Sequence, residues 1–113
     1  MNEDQQTRLA QNEAVFRDVN ENIKTVVSDL PGRAGSYEFV CECADATCTT
    51  RITLTLSEYE QIRSSPVRFV VAPGHDVAAV EVVVAEHDGH AVVEKQGVAG
   101  AIAAAFESAR AFG

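Results

Sequence analysis

Tyr37-Glu38-Phe39-Val40-Cys41-Glu42-Cys43-Ala44-Asp45-Ala46-Thr47-Cys48-Thr49-Thr50-Arg51-Ile52-Thr53-Leu54-Thr55-Leu56 is the stretch on which the fold turns. Aromatic and β-branched side chains recur near every second position through Tyr37–Cys41 and Arg51–Leu56, the pattern of two half-buried strands. Ala44 to Thr47 supplies the reversal, so the stretch reads as a hairpin. Along an extended strand alternate side chains share a face, and Cys41 and Cys43 therefore present their sulfurs to one side. The reversal brings Cys48 back toward that pair, which places three thiol donors around one point.

Structural zinc is almost always tetrahedral and closed by four protein donors, commonly Cys₄, Cys₃His or Cys₂His₂. A fourth ligand is therefore sought among the three histidines. His75 follows Pro73-Gly74, a tight turn at a strand end where backbone can approach an ion closely. It completes the expected set of Cys41, Cys43, Cys48 and His75. His87 and His90 flank Asp88-Gly89 and read as solvent-facing hairpin residues, although either has the chemistry to take the fourth place. Two observations weigh the other way. Zinc ligand pairs usually have two to four residues between them rather than one. Without an ion, three cysteines within eight residues would be small core fillers or a sensor thiol.

Outward from the hairpin, Leu9, Phe16, Ile23 and Leu30 recur every seven residues, with Val19 and Val26 on the same stripe. That spacing predicts an N-terminal amphipathic helix over 1–30, closed by Pro31-Gly32. The stripe packs either on the chain's own sheet or on another helix, because a seven-residue repeat is also a coiled-coil seam; Asn12 would then set the register. On the other side, Ser57 and Glu60 stand at capping-box spacing for a helix over Ser57–Arg63, with Tyr59 and Ile62 facing inward. Val67–Ala72 follows as a strand. Val80–Ala85 and Ala91–Glu94 form a second hairpin around Asp88-Gly89. Residues 76–86 also suit a helical period, but four valines within five positions favour a strand. Val98–Phe112 carries Val98, Ile102, Phe106 and Ala109 on one side and reads as a C-terminal helix. The expected fold class is thus α+β: an N-terminal amphipathic helix over 1–30, a core over 36–96 built on a small antiparallel sheet with a metal-bearing hairpin, and a short C-terminal helix over 97–113.

The 113 residues are 46% hydrophobic and 23% charged, the profile of one ordered domain. The formal net charge is −8, which opposes direct nucleic-acid binding, because that affinity rests on Lys and Arg displacing counterions from phosphate. The chain begins without the basic and apolar run of a secretory signal, and no apolar stretch approaches the roughly 20 residues of a membrane span. A cytoplasmic location is expected, where stable disulfides are disfavoured and an odd count of three cysteines points to thiol or metal chemistry.

The sequence resembles an uncharacterised family of small proteins from high-GC bacteria. The resemblance is carried by Phe16-Arg17-Asp18-Val19-Asn20-Glu21-Asn22-Ile23, by Phe39-x-Cys41-Glu42-Cys43 with Cys48, and by Leu54-Thr55 with Glu58-Tyr59-Glu60 and Ile62-Arg63. It continues through Arg68-Phe69, Pro73-Gly74-His75 and Val93-Glu94-Lys95, covering roughly residues 16 to 96. It implies one ordered unit that contains the Cys and His positions, and no catalytic role.

The motifs of zinc deaminases, metalloproteases, Gly-x-Ser-x-Gly hydrolases and phosphate-cradling loops are all absent. Asp45, Asp76 and Glu81 are the carboxylates that would serve as a base beside an open metal, but no catalytic residue is assigned. A structural zinc protein acting by contact with another protein, or with a second copy of itself, through residues 9–30 is therefore expected. A thiol redox sensor and a [2Fe–2S] electron carrier are the alternatives that the same cysteines allow.

Overall fold

The computed structural model describes residues 2–30 and 35–112, the side chains of 110–112 excepted. Three helices surround two antiparallel sheets, in the order α1 (Glu3–Ser28), β1 (Ser36–Val40), β2 (Arg51–Thr55), α2 (Leu56–Arg63), β3 (Arg68–Val71), β4 (Glu81–His87), β5 (His90–Lys95) and α3 (Gly97–Phe112). The α+β class expected from the sequence is the one observed. The Pro31-Gly32 break falls outside the described residues.

One sheet was expected and two are present: β1 pairs with β2, and the second sheet has the order β3-β5-β4. The physical reason is the cap at the end of β2. The Thr55 hydroxyl accepts a hydrogen bond from the Glu58 amide at 3.0 Å, and the Glu58 carboxylate accepts one from the Thr55 amide at 2.8 Å, so the chain enters α2 directly from the strand. The capping box thus lies two residues before the expected Ser57–Glu60 pair. The sheets meet through the segment after β1: the Glu42 amide donates to the Val70 carbonyl at 2.7 Å, and the Ala72 amide to the Cys41 sulfur at 3.1 Å.

Between the layers lie Phe39, Ile52, Leu54, Tyr59, Val70 and Val93, all essentially buried. Each such side chain contributes about 1.5–3 kcal/mol of apolar burial. The Phe39 and Tyr59 rings stack with centroids 4.6 Å apart. The strand reading of Val80–Ala85 holds, with a bulge between Val83 and Ala85.

α1 departs from its expected packing. Its buried residues are Ala10, Glu13, Arg17, Asn20 and Val27, displaced one position from the predicted Leu9 and Phe16, while Ile23 of the predicted stripe still packs against the core. One residue is a rotation of about 100° on an α-helix. Val15, Val19 and Val26 are consequently 60%, 39% and 63% exposed. The Asn12 side chain donates to the Ala44 carbonyl at 2.9 Å. Charge takes the inner face because the core offers it partners. Lys95 Nζ pairs with Glu13 and, at 2.5 Å, with Glu81. Arg17 pairs with Glu42 at 2.9 Å and lies 3.8 Å over the Phe69 ring.

Candidate metal centre

After β1 the chain runs on through residues 41–44, and its two sides do different work. Cys41 and Cys43 point one way. Val40, Glu42 and Ala44 turn their side chains or carbonyls to α1, where Asn12, Arg17 and Asn20 receive them. Asn20 donates to the Val40 carbonyl at 2.9 Å and accepts from the Val40 amide at 2.8 Å. The Glu42 carboxylate is fully buried and takes hydrogen bonds from Arg17 at 2.9 and 3.3 Å, from Asn20 at 3.0 Å and from the Val70 amide at 3.1 Å.

The reversal is locked locally. Asp45 Oδ1 accepts from the Thr47 amide at 2.9 Å and the Thr47 hydroxyl at 2.7 Å, and the Cys48 amide donates to the Asp45 carbonyl at 3.0 Å. The hydroxyl and amide of Thr47 hold the Asp45 carboxyl below its ordinary range. On the second sheet, β3 runs out into Ala72, and the His75 amide donates to the Ala72 carbonyl at 3.0 Å. Gly74 has φ of 81°, the left-handed conformation that favours glycine at this turn.

These pieces bring Cys41, Cys43, Cys48 and His75 together, with their donor atoms all within 4.8 Å of one another. Nδ1 of His75 lies 3.6 Å from the sulfurs of both Cys41 and Cys48. Zinc bonds of about 2.3 Å to sulfur and 2.0–2.1 Å to nitrogen at a tetrahedral angle require an S···N separation of about 3.6 Å. The donor set is therefore compatible with a metal site. His87 and His90, the other histidines considered for the fourth place, are not part of this group; they stack on each other at 4.6 Å at the tip of the β4–β5 hairpin.

Burial pushes the Cys41 and Cys43 thiols above their ordinary range. Cys48 is also pushed up by burial, but hydrogen bonding from the backbone and side chain of Thr50, from Cys43 and from His75 outweighs this and brings it to about 7. Cys48 thus favours the thiolate form that a metal or an oxidant requires. A cavity of about 270 Å³, lined by Cys43, Asp45, His75 and Asp76 among others, opens beside the cluster. Of the carboxylates weighed as bases, Glu81 is held in the core by Lys95, and Asp45 is committed to its turn. Asp76 remains at the cavity wall.

The residues that sequence reasoning missed are Arg17, Asn20 and Glu42. A signal for them existed. If Cys41 and Cys43 share one face of an extended segment, Glu42 must face the other way, into the protein, and a buried carboxylate demands cationic and amide partners. No family model, curated protein or solved structure matches the chain.

Proposed function

We propose that this is a small cytoplasmic protein in which one zinc ion, held by Cys41, Cys43, Cys48 and His75, fixes the hairpin against the core and so maintains a surface for protein–protein contact. The observation that carries the reading is the 3.6 Å spacing between the His75 nitrogen and two of the sulfurs. Four protein donors leave no coordination position for water, so the ion serves folding rather than reaction. A donor spread of 4.8 Å favours a mononuclear ion over a [2Fe–2S] cluster, whose second iron and bridging sulfides would hold the ligand pairs further apart. No membrane role enters: among the described residues no helix is long and apolar enough to cross one.

The contact surface of this proposal is the outer face of α1, within residues 9–30, where Val15, Val19 and Val26 stand exposed. A net charge of −8 disfavours nucleic acid and favours a basic protein partner over self-association. Such binding weakens as salt rises, and an inert monomer at all salt concentrations in size exclusion and pull-down would remove this part of the reading.

Native mass spectrometry tests the ion. The wild-type chain is expected to carry one zinc, and Cys43→Ser none. Structural zinc is worth on the order of 10 kcal/mol, comparable to the whole stability of a small domain, so a strong chelator should abolish cooperative unfolding. A colourless apo protein with unchanged melting would exclude the site.

The partial exposure of Cys48 favours a second reading, a thiol sensor. The Cys48 thiolate attacks a hydroperoxide, forming a sulfenic acid and releasing alcohol or water. The Cys43 sulfur then displaces water from it, giving a disulfide and loss of the ion. Peroxide treatment that leaves zinc bound and all three thiols titratable would dismiss this reading.

A further inference from the structure

α2 packs on β2 and β3, and between it and the β4–β5 hairpin lies a cavity of about 300 Å³. Pockets for small molecules run from roughly 300 to 1,000 Å³, so this one has room for a small ligand. Ile62, Val84 and Val92 supply apolar walls. Val84 is there because of the bulge in β4. Val83 and Ala85 pair with Val93 and Val92, which leaves Val84 without a partner on β5 and 42% exposed. Such a bulge re-aims a side chain, and bulges recur beside binding sites.

Two side chains of opposite charge line the same space, Arg68 from β3 and Glu58 from α2. Neither is spent on the other. Arg68 uses Nε on Glu94 at 3.1 Å, and Glu58 uses Oε1 on the Thr55 amide at 2.8 Å. Among the described residues, the two terminal nitrogens of Arg68 and Oε2 of Glu58 are uncommitted. The Arg68–Glu94 pair is open to solvent on both sides and holds the guanidinium only weakly. Burial and the adjacent His87 lower the pKa of His90, so His90 brings no charge to the cavity at neutral pH.

This balance of charge selects the occupant. A simple anion drawn to Arg68 meets the Glu58 carboxylate, and a simple cation drawn to Glu58 meets the guanidinium. A nucleic-acid strand is further repelled by a chain of net charge −8. A molecule that carries both signs satisfies both walls and lays its apolar part on Ile62, Val84 and Val92.

We propose that this cavity binds a small aliphatic zwitterion, a free amino acid or a short peptide with one ammonium and one carboxylate. The carboxylate takes the terminal nitrogens of Arg68 in the two-pronged arrangement that a guanidinium offers. The ammonium donates to Glu58 Oε2. Both are charge-assisted hydrogen bonds, and the apolar walls strengthen them by lowering the local dielectric. Because Glu58 belongs to α2 and Arg68 to β3, the ligand also ties the helix to the second sheet.

The experiment is an NMR titration of the nitrogen-labelled full-length chain with L-leucine and with leucyl-leucine. Isovalerate, which lacks the ammonium, and isoamylamine, which lacks the carboxylate, are run beside them. Saturable shifts of the Glu58, Arg68, Val84 and Val92 amides are expected with at least one zwitterion, and the tighter of the two reports the separation of the charges. Each one-charge analogue should bind roughly tenfold more weakly. Glu58→Gln and Arg68→Gln should each weaken the zwitterion by about the same factor. Both variants stay folded, since Gln preserves the capping box of α2 and the Arg68 side chain is 46% exposed. Glu60→Gln, exposed on α2 and outside the cavity, should leave binding unchanged. An absence of shifts through millimolar ligand, isovalerate binding as tightly as the zwitterions, or binding unchanged in Arg68→Gln would each overturn the proposal. The cavity shares no residue with the cysteine cluster, so none of these outcomes depends on the ion proposed there.

Discussion

Glu42 shows how a single side chain ties the cysteine hairpin to the rest of the fold. Its carboxylate is wholly buried between Arg17, Asn20 and the Val70 amide. Removing one member of a buried ion pair leaves an uncompensated charge and costs about 3–5 kcal/mol, whereas replacing both by apolar groups of similar volume is often nearly neutral. Glu42→Gln is therefore expected to lower the urea unfolding free energy by about that amount, and Arg17→Met with Glu42→Leu to lower it less than Glu42→Gln alone. A double substitution as damaging as the sum of the single ones would show that the pair is not coupled. Cys41, Cys43, Cys48 and His75 were legible in the sequence because thiol spacing and strand alternation state their geometry directly. Arg17 and Asn20 were not, since a charged residue on a helix normally reads as solvent-facing.

The helices were located well, and Tyr59 and Ile62 of α2 face inward as expected, but α1 is rotated from its expected packing. The seven-residue apolar repeat marked α1 but pointed to the wrong face, because its inner side is set by partners on other strands, Glu42 and Lys95, which no local window contains. α2 illustrates a smaller error of the same kind: both Thr55 and Ser57 precede an acidic residue at the right spacing, and only the end of β2 selects between them. Thr55→Ala should cost about 1 kcal/mol in chemical denaturation, the usual loss of an N-cap, while Ser57→Ala stays within about 0.5 kcal/mol. Equal effects would place the helix start elsewhere. The two hairpins and the terminal helix were legible from turn residues and period alone. The division into two sheets was not, because it depends on the Thr55 cap that carries the chain from β2 straight into α2.

The assembled core contains an excess of buried negative charge. Glu13 and Glu81 share the one ammonium of Lys95. Burial, working against the attraction of Lys95, raises the Glu13 pKa from 4.5 to about 7. The folded chain thus holds this proton more tightly than the unfolded chain does. Its contribution is complete below about pH 4.5 and is lost as pH rises through about 7, on the order of 3 kcal/mol in all. Glu13→Gln cannot lose that proton, so the stability difference between it and wild type should grow in favour of the variant from pH 5 to pH 8, measured as urea midpoints on zinc-loaded protein. Parallel pH profiles would refute the assignment.

The segment from Val40 to Ala44 is read from both of its faces, by the cluster of sulfurs with His75 on one and by the amides and guanidinium of α1 on the other. Such a ribbon tolerates exchange of side chains far better than a change of length. Inserting one residue between Val40 and Cys43 would invert the parity, sending a thiol into the Arg17 pocket and the carboxylate toward His75 and Cys48, so both anchors would fail together.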